Sequence, residues 1–134
     1  MSNVPGAGAA GGLGGGLIAF CNAKIVSGIN AILDLLNFDE LVKSVDIVVS
    51  GEGKFDNQTL DGKVVDGVAK RCLKYNKDLI LIVGKTELSL CDIQKTYPCV
   101  KALYETDELH LPSYMVKATA KQDYLAKIKK VLEQ

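Results

Sequence analysis

The sequence predicts an α/β fold, a small parallel-sheet, flavodoxin/Rossmann-like layered domain. Two short apolar runs, residues 46–50 and residues 79–83, each end at a glycine, as expected of strands that are buried on both faces of a parallel sheet. A helical apolar pattern at residues 64–73 separates them, and strands separated by helices imply right-handed βαβ crossovers. The chain has 134 residues, 48% of them hydrophobic, which is enough for one domain with a core.

Residues 4–44 predict a Gly/Ala-rich helical segment. Apolar residues recur at helical spacing after the glycines and predict a helix from about Gly11 to Cys21. Ser27 is a suitable N-cap for a second helix, Asn37 suits its end, and a short helix is predicted at residues 38–43. The apolar face of the second helix is formed by Ile29, Ile32, Leu33 and Leu36.

Residues 45–134 predict the α/β core. Residues 99–104, which follow Pro98, form a weaker third strand. The sequence Thr119-Ala120-Lys121-Gln122 has the form of a capping box, so we expect the terminal helix to begin there. Its apolar face comprises Tyr124, Leu125, Ile128, Val131 and Leu132. Three strands leave sheet edges that need covering, and we therefore expect this chain to be part of something larger.

Charge and composition argue against several classes of function. Lys+Arg and Asp+Glu both number 16 and Trp is absent, so neither bulk charge nor base stacking favours nucleic acid or an anionic membrane as a partner. The four cysteines form no C-x-x-C pair and accompany a single histidine, which argues against a metal site made by the protein and favours reduced thiols. No stretch predicts a membrane span or a signal peptide, so we expect a cytoplasmic enzyme or binding domain.

A glycine-rich segment opens the chain and contains a literal G-x-G-x-x-G at Gly6, Gly8 and Gly11, followed by Gly12. A dinucleotide-binding fingerprint needs a preceding strand and an acidic residue after the next strand, and neither is visible. Two interpretations stay open. The backbone approaches an anion where a helix begins, or the segment is a flexible tail or a close helix–helix contact.

The strongest candidate site is the loop at residues 51–59, directly after the first predicted strand. In open α/β sheets, ligands bind beyond the carboxyl ends of the strands. Glu52 and Asp56 are carboxylates four residues apart, and such a group can accept a proton from a substrate hydroxyl or hold Mg²⁺ with phosphate oxygens. Thr59 or Asp61 could instead serve only as a helix cap. The other polar side chains of the loop are Lys54 and Gln58.

A second candidate, Lys85-Thr86, follows Gly84 at the end of the next predicted strand. A P-loop would need a glycine five residues before Gly84, where Leu79 stands, so that motif is excluded. A lysine at this edge of a sheet can meet an anion, but a solvated loop lysine is the favoured interpretation.

Three ordered segments, residues 5–14, 27–29 and 51–63, resemble the type I glycerate kinases. The likeness covers most of residues 4–84. It implies a two-domain α/β enzyme that phosphorylates D-glycerate with ATP and Mg²⁺ in the cleft between its domains. The residues that it implies for contact with substrate or phosphate are Gly6, Gly8, Gly11, Gly12, Lys54, Gln58, Thr59 and Lys63.

Within that resemblance, we expect Asp56 to be the general base, since it lies further from the strand end than Glu52 and can reach a substrate hydroxyl. Glu52 would then orient a group or bind the metal. Two departures concern this loop: Lys54 stands where many relatives have Arg, and Asn57 stands where Gly is usual.

The resemblance also implies a difference in length. The Asp-Ser-Phe-Lys-Gly and Ala-Asp-Gly-Gly-Glu-Gly-Thr segments expected upstream do not occur in these 134 residues. We therefore expect a C-terminal portion that needs the missing N-terminal portion as its partner and is inactive alone. The alternative is a standalone ligand-binding or regulatory module. An exposed sheet edge further predicts a homodimer or other self-association.

Overall fold

The computed structural model describes residues 4–56, 63–107 and 113–133, with only the backbone described for residues 113–118, 131 and 132. Six helices and five strands are described within these ranges. The helices are α1 (Ala9–Cys21), α2 (Gly28–Leu35), α3 (Phe38–Lys43), α4 (Val64–Lys74), α5 (Leu90–Thr96) and α6 (Ser113–Leu132). The strands are β1 (Ile47–Ser50), β2 (Lys54–Phe55), β3 (Asp78–Val83), β4 (Lys85–Thr86) and β5 (Val100–Glu105).

The main sheet has the order β1-β3-β5, and both of its strand pairs are parallel. The central strand β3 aligns Leu79 with Val48 on one side and with Val100 on the other. The predicted parallel α/β sheet is therefore confirmed. The two-residue strands β2 and β4 pair separately in parallel, and the sequence did not predict them.

The hydrophobic core lies on one face of this sheet. Alternate β3 residues, Leu79, Leu81 and Val83, are almost completely buried and belong to one cluster with the inner faces of α4 and α5. Helix α2 packs on α4 at Gly67, where an added Cβ would overlap the side chain of Ile29. Helices α4 and α5 thus lie against the core side of the sheet, and α2 and α3 pack on α4.

The opposite face of the sheet is covered only in part. Ile82 is 3% exposed, but Ile47 and Val49 on β1 remain 53% and 49% exposed. The expectation that β1 is buried on both faces is therefore wrong for this chain. The reason is that β1 lies at the edge of the sheet, and none of the described elements packs over these two side chains.

The N-terminal helices lie near their predicted positions, but the side chains of α1 are not buried. Helix α2 follows Ser27 and α3 coincides with the predicted range, as expected. Helix α1 is regular only from Leu13, because Ala10, Gly11 and Gly12 have left-handed φ angles of 50°, 67° and 91°. None of the α1 side chains is buried, so its apolar face has no cover among the described residues.

In the C-terminal half, one expectation is wrong and one helix was missed. The terminal helix begins at Ser113, so Thr119 lies inside it and is not a cap. Residues 113–119 contain no glycine or proline that would interrupt a helix. The helix α5 was missed, although Ser89 caps it by accepting a 3.2 Å hydrogen bond from the backbone amide of Asp92.

Candidate functional site

The loop after β1 is pressed against the end of β3. An added Cβ at Gly51 would overlap the carbonyl oxygen of Ile82, and one at Gly84 would overlap the carbonyl oxygen of Gly53. The amide of Gly84 donates to the Glu52 carbonyl at 2.9 Å, and the amide of Lys85 donates to the Gly53 carbonyl at 3.1 Å. Glycines are therefore required for this close approach, and residues 51–56, the described part of the predicted loop, lie against the end of β3.

Phe55 attaches the loop to the hydrophobic core. Its side chain is fully buried in the core cluster, and its strand β2 pairs with β4 in the register Lys54–Lys85 and Phe55–Thr86. Since the side chains of Lys54 and Asp56 flank a buried aromatic residue in an extended strand, they point away from the core. The sequence thus places its charged residues on the outer side of the loop.

Asp56 stands between two lysines. Its carboxylate lies 3.3 Å from the Lys54 ammonium and 4.0 Å from the Lys63 ammonium, and the Asp56 side chain is 23% exposed. Lys54 also contacts Glu87 at 3.5 Å. Hydrogen bonding to Asp56, followed by the charge of Glu87, raises the pKa of Lys54 above its usual value. Three of the predicted site residues are therefore brought together.

Glu52 faces a different group. Its carboxylate accepts a 3.4 Å hydrogen bond from the amide of Val65, in the first turn of α4. Amides at the start of a helix lack partners within the helix and carry partial positive charge, so a carboxylate there stabilises the helix. Lys63, which immediately precedes α4, makes no side-chain cap. Glu52 thus acts as a cap at the start of α4, and Thr59 and Asp61, which the sequence offered for this role, lie outside the described residues.

The ends of β3 and β5 meet at the same edge, as the carboxyl ends of parallel strands must. Asp107 is 8% exposed, and its amide donates to the Gly84 carbonyl at 2.8 Å. The Glu105 carboxylate accepts a 3.0 Å hydrogen bond from the amide of Thr86. These two acidic residues were missed. Their position directly after the third predicted strand was the signal available in the sequence.

A pocket of about 560 Å³ opens at this edge of the sheet. It is bounded by the loop after β1, the end of β3 and one side of α6, and its surface is mainly apolar. The lining residues are Gly51, Glu52, Gly53, Ile82, Val83, Gly84, Thr106, Ala120, Lys121 and Tyr124. Glu52 is therefore the predicted catalytic residue that borders the pocket directly.

The glycine-rich segment does not join this pocket. Gly6, Gly8, Gly11 and Gly12 are exposed and absent from the pocket lining, and the backbone hydrogen bonds described for the segment stay within residues 4–15. Its shape nevertheless depends on glycine, because three of these four positions have left-handed φ angles. The two interpretations from the sequence, an anion-facing backbone and a tail or close helix–helix contact, stay open.

Some predicted site residues cannot be placed. Gln58 and Thr59 fall in residues 57–62, outside the described part of the chain. Within the described ranges, no group of three His, Cys, Asp or Glu residues is arranged to hold a metal ion by itself. Across the same ranges, no helix is long and apolar enough to cross a membrane.

The sequence of the chain was compared with those of known proteins and protein families. A sequence model described as the glycerate kinase family matches residues 1–131. The chain is 51% identical to a glycerate kinase of Halalkalibacterium halodurans over 84 residues, which are 63% of this chain and 22% of that one. It is 45% identical to the glycerate 2-kinase of Escherichia coli, with the same two coverages.

A solved structure is also similar to this chain. A protein designated glycerate kinase 2, from Salmonella typhimurium LT2, superposes with a TM-score of 0.58 and 37% identity, covering 75% of this chain and 24% of that chain. The chain therefore spans less than a quarter of the length of these relatives.

Proposed function

The chain belongs to the glycerate kinase family, and we propose that it forms part of the active site of an enzyme that phosphorylates D-glycerate with ATP. The observation that carries the proposal is Asp56 between the Lys54 and Lys63 ammonium groups, on a loop at the carboxyl edge of a parallel sheet. Ligands of open α/β sheets bind at this edge. Phosphoryl transfer to an alcohol depends on a positioned carboxylate and on cations that neutralise phosphate charge.

We assign the role of general base to Asp56. Its carboxylate would accept the proton of the glycerate hydroxyl while the hydroxyl oxygen forms its bond to the transferred phosphorus and ADP leaves. Lys54 and Lys63 hold this carboxylate in place from two sides. Their ammonium groups also suit the second task of the site, which is to contact the carboxylate of glycerate or the oxygens of a phosphate.

Glu52 receives a positioning role. Its contact with the Val65 amide fixes the loop to the start of α4, so its carboxylate is directed to the helix and less available to a substrate hydroxyl. Mg²⁺ in phosphoryl-transfer sites is held by one or two carboxylates with substrate phosphates, and Glu52 and Asp56 are groups of that type. When bound, Mg²⁺ would supply charge neutralisation for the phosphates.

The pocket beside the proposed site is lined by Glu52 and not by Asp56, Lys54 or Lys63. The pocket is bounded by this chain along the loop, β3 and α6, and relatives of the family carry more than three quarters of their polypeptide outside the matched region. We propose that this further polypeptide supplies the second wall of the cleft, with one half of the substrate contacts. The 134-residue chain alone would then have no glycerate kinase activity.

A coupled assay of ADP release with D-glycerate tests both statements. The isolated chain is compared with the same chain mixed with a Halalkalibacterium halodurans enzyme from which the whole counterpart of residues 1–131 has been removed, with each part alone as control. We expect turnover only in the mixture. Turnover by the isolated chain at rates of about 1 to 100 per second, typical of kinases, would show that no second wall is needed.

A second candidate function is a standalone ligand-binding or regulatory module. It is favoured by the pocket of about 560 Å³, which lies within the size range of small-molecule sites. Calorimetry of the isolated chain with ATP and with D-glycerate separates the candidates. Saturable binding by the isolated chain, without turnover in the mixture, would favour the module over the kinase.

A further inference from the structure

The carboxylate of Glu105 carries an inference that deepens the proposed function and rests on it. We infer that Glu105 is a positioning residue, which holds the strand β4 and, through β4, the strand β2 that carries Lys54 and leads to Asp56. Glu105 lies at the end of β5 and is not among the residues that line the pocket. Its role is to fix the geometry of the Lys54–Asp56 pair and not to contact the substrate.

The strand β4 needs support from outside the β2–β4 pair, because the pair is very short. Each strand has two residues, and Phe55 aligns with Thr86. The Lys85 amide joins the start of β4 to the loop through its 3.1 Å hydrogen bond to the Gly53 carbonyl. Even a two-stranded hairpin is at best marginally stable in isolation, so a pair of two-residue strands does not hold a loop in place by itself.

Glu105 supplies this support from the side of β5. Its carboxylate accepts a 3.0 Å hydrogen bond from the Thr86 amide, and this contact is partly buried. Glu105 is itself fixed by the main sheet, since it pairs in register with Val83 on β3. A hydrogen bond to a charged group is roughly twice as strong as one between neutral groups. Because β5 and β1 lie on opposite sides of β3, β4 is held between the loop after β1 and the end of β5.

The turn after β4 also places a charge beside Lys54. Glu87 directly follows β4, and its carboxylate lies 3.5 Å from the Lys54 ammonium. The Thr86 hydroxyl accepts a 3.0 Å hydrogen bond from the Leu88 amide, so the turn that presents Glu87 is closed on β4 itself. The same Lys54 ammonium lies 3.3 Å from the Asp56 carboxylate. A displacement of β4 therefore changes the charge around Lys54 and, through Lys54, the position of Asp56.

Positioning of this kind matters for phosphoryl transfer, because the protein contributes mainly geometry and charge to such reactions. A misplacement of about 1 Å, caused by a change far from the reacting atoms, can lower the rate about 10²-fold. Asp56 is the proposed base, so its position determines how well it meets the glycerate hydroxyl. Loss of the contact between Glu105 and Thr86 should therefore lower kcat and leave KM nearly unchanged, since the lysines that bind anionic groups remain.

Kinetics of the mixture described under the proposed function test the inference. Glu105→Ala removes the acceptor of the hydrogen bond, whereas Glu105→Gln keeps an amide oxygen that can accept it. We expect Glu105→Ala to lower kcat about 10- to 100-fold with KM within about threefold, and Glu105→Gln to keep kcat within about threefold of the unsubstituted chain. A loss in Glu105→Gln as large as that in Glu105→Ala would show that the charge itself is needed, which contradicts a role through the Thr86 amide.

Gln94→Ala is the matched control. Gln94 donates a 2.7 Å hydrogen bond to the carbonyl of Val100, at the opposite end of β5 from Glu105. Its removal also deletes a partly buried contact between a side chain and the backbone, but far from β4. We expect an unchanged kcat. A fall in kcat equal to that of Glu105→Ala would reduce the effect of Glu105 to general destabilisation and overturn the inference.

Hydrogen exchange on the 134-residue chain gives a readout that needs no turnover. The reporter is the Lys85 amide in β4, and the reference is the amide of Leu81, which lies in the centre of the main sheet with a fully buried side chain. Destabilisation of the whole chain speeds exchange at both amides, so the ratio of the two rates isolates the opening of β4. The ratio should rise at least about tenfold in Glu105→Ala and less than about twofold in Gln94→Ala. An unchanged ratio in Glu105→Ala is incompatible with the inference.

The two readouts separate this inference from the proposed function. If no mixture shows turnover with D-glycerate, the kinase proposal fails, and the exchange ratio alone supports or contradicts the hold of Glu105 on β4. If the unsubstituted mixture shows turnover and Glu105→Ala has the same kcat, the kinase proposal stands and the inference about Glu105 fails.

Discussion

The amide of Lys85 donates a 3.1 Å hydrogen bond to the carbonyl of Gly53, and through it the end of β3 holds the candidate active-site loop. This contact requires glycine at the preceding position, Gly84. An added Cβ at Gly84 would overlap the Gly53 carbonyl oxygen, so the two segments approach as closely as backbone atoms allow. The position of the loop is therefore determined by the backbone as well as by its charged side chains.

Gly84→Ala should separate the loop from β3 and destabilise the chain. Forcing a methyl group into a packed site typically costs about 1–3 kcal/mol, and here the obstacle is a backbone carbonyl that cannot rotate away. Urea unfolding followed by circular dichroism measures the change. Gly16→Ala is the control, because nothing lies within 4 Å of its Cβ position and alanine favours a helix by about 1 kcal/mol. Equal destabilisation by both substitutions would contradict the close contact.

Tyr97→Phe should also destabilise the chain. The Tyr97 hydroxyl donates a 2.6 Å hydrogen bond to the Asp66 carboxylate, and both residues are 3% exposed. Removal of this donor leaves the buried carboxylate with Lys70 as its remaining side-chain partner, at 2.8 Å. Loss of a hydrogen bond to a buried charged group costs about 1.5–3 kcal/mol. The free energy of unfolding in urea is the measurement.

Tyr75→Phe is the matched control for that substitution. The Tyr75 hydroxyl also donates a 2.6 Å hydrogen bond to a carboxylate, that of Asp39, but this carboxylate is 24% exposed. Lys74 and Arg71 also contact the Asp39 carboxylate, at 2.7 Å and 2.6 Å. The hydrogen bond from Lys74 is the largest of the effects that hold the pKa of Asp39 well below its usual range. We expect a loss of less than about 1 kcal/mol, since water and these partners replace the hydroxyl. A loss as large as that of Tyr97→Phe would show that burial is not the deciding factor.

The sequence predicted those elements of the fold that have a regular apolar pattern. The strands β1 and β3 are continuous apolar runs and the helix α4 has a clear apolar face, and each lies within about one residue of its expected position. The weaker strand β5, which follows Pro98, was also placed to within one residue. The two-residue strands β2 and β4 have no pattern of their own, because they depend on glycines that let two loops touch. The predicted burial of β1 on both faces was wrong for a different reason, since the composition of a strand does not show whether the strand lies at the centre or at the edge of a sheet.

The candidate site was predictable as a loop but not as a set of contacts. Position after a strand was sufficient to select Glu52, Lys54 and Asp56. That Glu52 turns to the Val65 amide depends on where α4 begins in space, and spacing along the sequence does not contain that information. The proximity of Glu105 requires knowledge of strand order, because only a parallel neighbour brings its carboxyl end to the same edge.

The buried thiol of Cys72 predicts a dependence of stability on alkaline pH. Burial raises the pKa of Cys72 to about 12 from its ordinary 9.0, so the folded state keeps the proton where the unfolded state loses it. The contribution to stability is complete below about pH 9 and falls, by up to about 1.4 kcal/mol per pH unit, as the pH rises towards the folded-state value.

Urea unfolding between about pH 8 and pH 10 measures this slope. Cys72→Ala should give a shallower fall than the unsubstituted chain, and Cys91→Ala, at an exposed thiol, should leave the slope unchanged. Comparison of slopes removes the constant cost of the cavity left by the first substitution. Identical slopes for all three proteins would contradict a strongly raised pKa of Cys72.

Asp56→Asn tests the proposed base in the active mixture of this chain with the unmatched portion of a glycerate kinase. The amide keeps the size of the side chain but cannot accept the proton of the glycerate hydroxyl, so kcat should fall by about 10²- to 10⁴-fold. KM should change little, because Lys54 and Lys63 remain to bind anionic groups. Asp46→Asn is the control. Asp46 directly precedes β1, at the opposite end of the strand from Gly51, so kcat should be unchanged. A fall in kcat below tenfold for Asp56→Asn, with a larger fall for Glu52→Gln, would transfer the role of base to Glu52.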